Sequence, residues 1–350
     1  MYPLAVIGND ATARATILAC RKFGFDDITW ADGPATFAAL PAYTLGANLT
    51  RIVHALGEAA TLHAHAYIPD REQVRIAASG FLLSELPLGD FATQRYGAPH
   101  VNIDGDAWAS ILPIDARPET NTDTEELITR LEHRPGVVIV CDDSPAEPAA
   151  PTHRLWHARL PFEASQAKAN VTWLARAHTA WQFSTASHQH VYFATPLEDT
   201  LRETDWHPQL HDALRDVRTC ATFRADATDV RQHWQAGNVV YAGSACYPPS
   251  PFLREAAALG LEDAWVLSRM LENYEEDLHD GLLEYERYRR PRAARTLAAA
   301  SRAAQRAALP SGVARWMRNL NIAFSARFVP EIAMQRIDWL YNYDCIKGFR

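Results

Sequence analysis

Gly8 and Asp32 are the first residues along the chain whose types and spacing imply chemistry. Gly8 ends the apolar run that begins at Leu4, an Ala-rich segment spans Ala11 to Phe23, and a second apolar run, Asp27 to Trp30, closes at Ala31-Asp32. Strand, glycine turn, helix, strand and acid is the order of a βαβ unit that takes a dinucleotide. The helix N-terminus offers amides to phosphate, and the acid meets a ribose hydroxyl. In isolation the turn reads only as a structural βαβ unit. Ser244, in Ala242-Gly-Ser-Ala245, stands at a strand end as a nucleophile would, but without the Gly-x-Ser-x-Gly elbow, so it reads as a polar loop residue. The pairs His63/His65 and His188/His190 stand two residues apart. On a strand such pairs share a face, and two imidazoles can begin a metal site. The spacing offers no third donor, so no metal and solvent-facing histidines are expected.

These residues need elements to hold them. Gly24 follows the first helix as its C-cap. Thr44 to Leu56 reads as an amphipathic helix closed by Gly57, and residues 65–105 as extended segments. Asp106 to Leu112 and Glu125 to Glu132 read as short helices, and Val137 to Val140 as a buried strand. Ser144 to Pro151 is a loop. Between 155 and 195 the alternation in Trp181-Gln-Phe-Ser and His190-Val-Tyr-Phe-Ala predicts antiparallel strands with one wet face. Asn238 to Ala242 reads as a parallel strand. The proline loop Tyr247–Pro251 follows it, then a helix over Leu253 to Leu271. Residues 282–308 are helical, with their charges on a solvated face. The aromatic tail packs on the body.

Composition bounds the rest. The 350 residues are 48% apolar and 22% charged, which excludes disorder and coiled coil. The net charge of -8, from 42 acids against 34 bases, without a basic stripe, excludes nucleic acid as the expected partner. No run of 18 apolar residues predicts a membrane span, and the N-terminus reads as a strand rather than a signal peptide. The five scattered cysteines, Cys20, Cys141, Cys220, Cys246 and Cys345, form no CxxC pair and fit a reducing cytoplasm.

The segment Gly237 to Phe252, with Leu261-Glu-Asp-Ala264 and Tyr285-Glu-Arg-Tyr-Arg-Arg-Pro-Arg292, resembles the second flavin-binding motif of the FAD-dependent aromatic hydroxylases, the salicylate- and para-hydroxybenzoate-hydroxylase-like flavoprotein monooxygenases. Leu45 to Gly57, Tyr96-Gly-Ala-Pro99 with Ala107 to Leu112, and Arg336 to Asp344 resemble further blocks, so the likeness covers nearly the whole chain. It implies an α/β fold: a Rossmann-like FAD/NAD(P)-binding domain (1–64, 96–150 and 230–275), an inserted antiparallel substrate-binding sheet (65–95 and 151–229) and a helical C-terminal extension (276–350). It also implies that an aromatic substrate lies over the 155–195 sheet. Trp173, Trp181, Phe183, His188, His190, Tyr192 and Phe193 then line a pocket. Tyr247 fills flavin space or acts as an acid, and Arg254-Glu255 contacts substrate or forms a surface pair.

Against the family pattern the cofactor positions depart. Gly-x-Gly-x-x-Gly is Gly8-Asn-Asp10-Ala-Thr-Ala13, so a carboxylate stands nearest the phosphates. At about 4 Å that repulsion is roughly 1 kcal/mol in water and about 4 at an effective dielectric of 20. Asp32 stays at the ribose position. The family's basic residue is replaced at Asp104-Gly105, its Gly-Asp by Gly243-Ser244, its His-Pro by Tyr247-Pro248, and its Asp-Gly by Asp142-Asp143. The glycine-rich start of the next helix becomes Arg254-Glu-Ala256-Ala-Ala258, while Pro251-Phe252 is kept. The stretch from Leu112 to Val137 is short for the family. The expectation is a monooxygenase-like protein with a degenerate flavin site, a pseudoenzyme that binds FAD weakly or not at all. It would keep a small aromatic ligand in a non-redox or accessory role. The alternatives are an active FAD- and NAD(P)H-dependent aromatic hydroxylase and a non-catalytic partner of a flavoenzyme, the chain then associating with that enzyme or as a homodimer.

Overall fold

The computed structural model describes residues 2–33, 39–115, 126, 128–129, 136–141, 150–163, 168–201, 205–309, 312–328 and 330–349. Asp142-Asp143, most of the 144–151 loop, and most of the Leu112–Val137 stretch with its expected helix lie outside these residues. The chain runs through β1 (Leu4–Ile7), α1 (Ala11–Lys22), β2 (Ile28–Ala31), β3 (Ala42–Leu45), α2 (Ala47–Leu56), α3 (Ala59–His65), β4 (Arg71–Ile76), β5 (Leu82–Pro87), α4 (Gly89–Tyr96), β6 (Val101–Asp104), α5 (Gly105–Ile111) and β7 (Val137–Val140). It continues as β8 (His153–Pro161), β9 (Ala169–Leu174), β10 (Thr179–Ser184), β11 (His188–Pro196), α6 (His211–Arg215) and β12 (Arg218–Phe223). It ends as β13 (Gln235–Ala236), β14 (Val239–Tyr241), α7 (Ala256–Asn273), α8 (Leu278–Ala307), α9 (Gly312–Phe328) and α10 (Pro330–Tyr341).

The run Leu4–Ile7 is buried at every position, as a strand covered on both faces must be. It pairs in parallel with β2 and β7, and β14 joins β7 in parallel, giving the order β13-β14-β7-β1-β2. Asp10 caps α1, and Arg21 and Lys22 in its last turn suit the negative end of the helix dipole. Gly57 ends α2 at φ +100°, a conformation glycine takes without strain.

The second sheet has the order β12-β8-β11-β10-β9-β4-β5 and is antiparallel except where β4 pairs with β9. The short pair β3-β6 lies between the two larger sheets, tied to the second by the Asn102–Asn170 hydrogen bond and to the first by the packing of Leu45, Val101 and Ile103 with Val6.

Four expectations are corrected. First, the second sheet has no wet face at its centre, because every residue of β10 is buried. One face packs Trp173, Ala180, Val191 and Phe193 on Leu201, Trp206 and Leu210. The other packs Trp181, Phe183 and Tyr192 against Ala42 and Phe252. Second, residues 65–105 include a helix, α4, ended by Gly97 at φ +75°. Third, His63 and His65 lie on α3, where residues two apart do not share a face. Fourth, the charges of α8 are not all solvated. Arg289 and Arg292 are buried, because α7 supplies their partners. Arg289 Nε donates to Asp263 Oδ1 at 2.6 Å and Arg292 Nη2 to Glu262 Oε1 at 3.0 Å. Arg292 also reaches the carbonyls of Trp339 and Leu340, which docks the tail.

Candidate functional site

The first turn is held by its neighbours. Gly8 adopts φ +135°, its amide donates to Ala31 O at 2.9 Å, and Trp30 Nε1 donates to Gly8 O at 2.7 Å. Asp10 Oδ1 accepts from the Ala13 amide at 2.9 Å, so the carboxylate of this chain sits on the helix N-terminus. Burial pushes the Asp10 carboxyl up, against the pull of hydrogen bonds from Ala13 and Thr12. Ala13 is fully buried. A Cβ on Gly260 would overlap Thr12 Oγ1, and one on Gly243 would lie 2.7 Å from it, so Thr12 fills the space between α1 and α7. Asp32 Oδ1 is buried with no hydrogen-bond partner among the described residues.

At the end of β14, Gly243 turns at φ +58° and its amide donates to Asp263 Oδ2 at 3.1 Å. Ser244 Oγ donates to Cys141 O at 3.1 Å, which ties it to the strand end. Tyr247 is buried, and its hydroxyl donates to Asp263 Oδ2 at 2.5 Å. Burial and the Asp263 charge push its phenol well above the usual range. Pro251 is half-buried in the following loop, and Ala256 opens α7. Arg254 adopts φ +59°, a conformation side chains avoid, and pairs with Glu72 of β4 at 2.9 Å. That pair bridges the loop before α7 to the second sheet. Glu255 is buried rather than part of a surface pair. Burial drives its carboxyl up to about 7 although Asn48 donates to it. Burial also opposes ionisation of Glu262, but Arg292 and Arg289 outweigh it and hold that carboxyl low. Tyr247, Pro248, Glu255, Leu259 and Leu297 line a small cavity of about 20 Å³.

On the second sheet, Trp181 is opposite Tyr192 and Phe183 opposite His190, so these four expected pocket residues share one face. The alternation sends Trp173 and Phe193 to the other face. Tyr192 Oη accepts from the Ala42 amide at 2.8 Å and donates to its carbonyl at 3.0 Å, and Trp181 meets Phe252 edge-on at 5.4 Å. Tyr247 lines the cavity and Arg254 holds the ion pair that leads to the sheet, so the six residues split between two places.

A chain of polar groups missed by sequence reasoning runs through this face. His190 Nε2 lies 2.9 Å from Asp104 Oδ1, and His190 Nδ1 lies 3.0 Å from His157 Nε2. Ser187 Oγ donates to Asp104 Oδ2 at 2.6 Å. Burial drives His190 down to about 4 despite Asp104, and burial with His190 and Arg159 drives His157 down to about 4. Both rings are therefore neutral at pH 7, so His190 donates from Nε2 to Asp104 and accepts at Nδ1 from His157. Burial opposes the Asp104 charge, but hydrogen bonds from Ser187, Thr185 and His190 hold it below the usual range. The Asp104 and His190 partners are 86 residues apart, and no local spacing signals them.

No protein-family model matches the chain. It is similar to 6-hydroxynicotinate 3-monooxygenase of Pseudomonas fluorescens, 24% identical over 83% of this chain and 88% of that protein. It is also similar to 3-amino-4-hydroxybenzoate 2-monooxygenase PtnB3 of Streptomyces platensis, 24% identical over 97% and 96%. Among solved structures, Klebsiella pneumoniae HpxO complexed with FAD and uric acid superposes with a TM-score of 0.73 at 14% identity, covering 95% of this chain and 96% of that one. The fold is therefore that of the FAD-binding hydroxylases. No described helix is long and apolar enough to cross a membrane.

Proposed function

From the premise that this chain is a relative of the flavin-dependent aromatic monooxygenases, we propose that it keeps their fold and a small aromatic ligand but does not hold FAD tightly, and that its role is non-redox or accessory. The observation that carries this reading is the Asp10 carboxylate on the α1 amides. A helix N-terminus binds a pyrophosphate because its amides are free and its dipole is uncompensated. Here one amide is taken and the charge is met by Asp10, so a second anion would face repulsion as well as competition. Pyrophosphate does not fit that turn. Tyr192 is closed onto Ala42 of β3, and the Arg254–Glu72 pair ties the loop before α7 to the second sheet. The ligand's aromatic character rests on the likeness to monooxygenases of hydroxynicotinate and aminohydroxybenzoate, since Trp181, Phe183 and Tyr192 are themselves packed in the core.

One observation favours the second reading, an active FAD- and NAD(P)H-dependent hydroxylase. Asp32 Oδ1 is buried and unpartnered, as an acid awaiting a ribose hydroxyl would be. The two readings separate in NAD(P)H-dependent oxygen uptake with added FAD and 6-hydroxynicotinate as probe. The proposed reading gives no uptake above a flavin-only control, together with calorimetric binding of an aromatic acid by the flavin-free protein. Substrate-dependent uptake overturns it.

A further inference from the structure

His188 and His190 stand two apart on β11 and share its face, and the fold brings Asp104, at the end of β6, against them. One donor atom from each residue lies within 4.8 Å of the others. His190 Nε2 is 2.9 Å from Asp104 Oδ1, and His188 Nδ1 is 3.8 Å from the same oxygen. His188 Nδ1 is buried, yet it makes no hydrogen bond among the described residues. We infer that Asp104, His188 and His190 form a site for a divalent transition-metal ion of the zinc class, with at least one coordination position open to an oxygen ligand.

The donor set fixes the class of ion. Two imidazoles and one carboxylate suit zinc, cobalt, nickel or iron(II), whereas magnesium and calcium demand mostly oxygen. Tetrahedral coordination at about 2.0–2.1 Å sets donors roughly 3.3 Å apart. The Asp104–His190 and Asp104–His188 separations, 2.9 and 3.8 Å, bracket that value. The supporting groups are already in place. Ser187 holds the second oxygen of Asp104, and Phe183 stacks on the His190 ring at 5.9 Å. His157 lies at His190 Nδ1. An ion on His190 Nε2 moves that ring's proton to Nδ1, where His157 Nε2 accepts the hydrogen bond. This is the outer-shell arrangement that orients metal-bound imidazoles. Exposure sets the open side. His190 is 1% exposed while His188 is 37% exposed, so the three donors close the inner side and leave the outer side to water or a ligand oxygen.

The test uses the full-length protein stripped with a chelator and titrated with Co²⁺ and Zn²⁺. One Co²⁺ per chain should bind with the intense visible bands of a low-coordinate site, and Zn²⁺ should displace it. His188→Ala removes a partly exposed ring and should abolish the bands with an unchanged melting temperature for the metal-free protein. His157→Phe should weaken binding by ~10–100-fold, the usual cost of an outer-shell partner. The double variant His63→Ala/His65→Ala, away from the cluster, should bind as the parent does. Absence of the bands, binding only at millimolar metal, or bands that survive His188→Ala would overturn the inference.

Discussion

Replacing Glu255 with glutamine should remove a pH-dependent penalty that the fold carries. Glu255 is buried beside Glu262, which the two arginines keep ionised, and Asn48 donates to both carboxylates. Its carboxyl is raised from 4.5 to about 7, chiefly by burial. In the unfolded chain the group loses its proton from about pH 4.5 upward, while in the folded chain it keeps the proton until about pH 7. The folded state therefore binds more protons across that window, and stability falls as pH rises through it. A shift of that size, at 1.36 kcal/mol per unit, is worth about 3 kcal/mol, fully lost above pH 7. Glutamine mimics the protonated form and does not titrate. The assay is urea unfolding of parent and Glu255→Gln between about pH 5 and about pH 8.5, read as the difference in unfolding free energy. The difference cancels titrations common to both proteins, including the buried histidines. It should rise toward the variant by about 3 kcal/mol from the acid to the alkaline end. A flat difference would refute the buried, protonated Glu255.

Other perturbations test the elements that frame the site. Arg289→Leu leaves Glu262 and Asp263 short of a partner in the core, and should cost about 3–5 kcal/mol in chemical denaturation. Gly260→Ala should cost about 1–3 kcal/mol through overlap with Thr12, and adding Thr12→Ala should recover much of it in a double-mutant cycle. Arg254→Gly should be roughly 1 kcal/mol more stable than Arg254→Ala, since both lose the Glu72 pair but only glycine takes φ +59° freely. Equal stabilities would contradict that backbone conformation.

The βαβ opening was legible because it is local: an apolar run, a glycine, a capped Ala-rich helix and a second run. Asn238 to Ala242 was legible as a parallel strand for the same reason. The antiparallel alternation around Trp181 and Tyr192 was also readable, but not what covers each face, since Trp206 and Phe252 come from distant segments. Asp10 was visible as a misfit in the phosphate turn, and the structure adds what its carboxylate does there. The Asp104–His190–His157 chain joins β6, β11 and β8, and nothing in local spacing joins them. The arginines of α8 misled because a helix with many charges is usually solvated. Burial was decided by Glu262 and Asp263 on another helix.

The most direct measurement of the central claim is FAD titration of the purified protein by flavin fluorescence, parent beside Asp10→Gly. Losing the cap to glycine costs only a few tenths of a kcal/mol, so the fold survives the change. Removing a charge about 4 Å from phosphate is worth about 1–4 kcal/mol, a gain of roughly fivefold to a thousandfold in affinity. The parent should purify colourless and bind FAD weakly, and the variant should bind at least about fivefold tighter. A parent that purifies yellow with one tightly bound FAD per chain would contradict it.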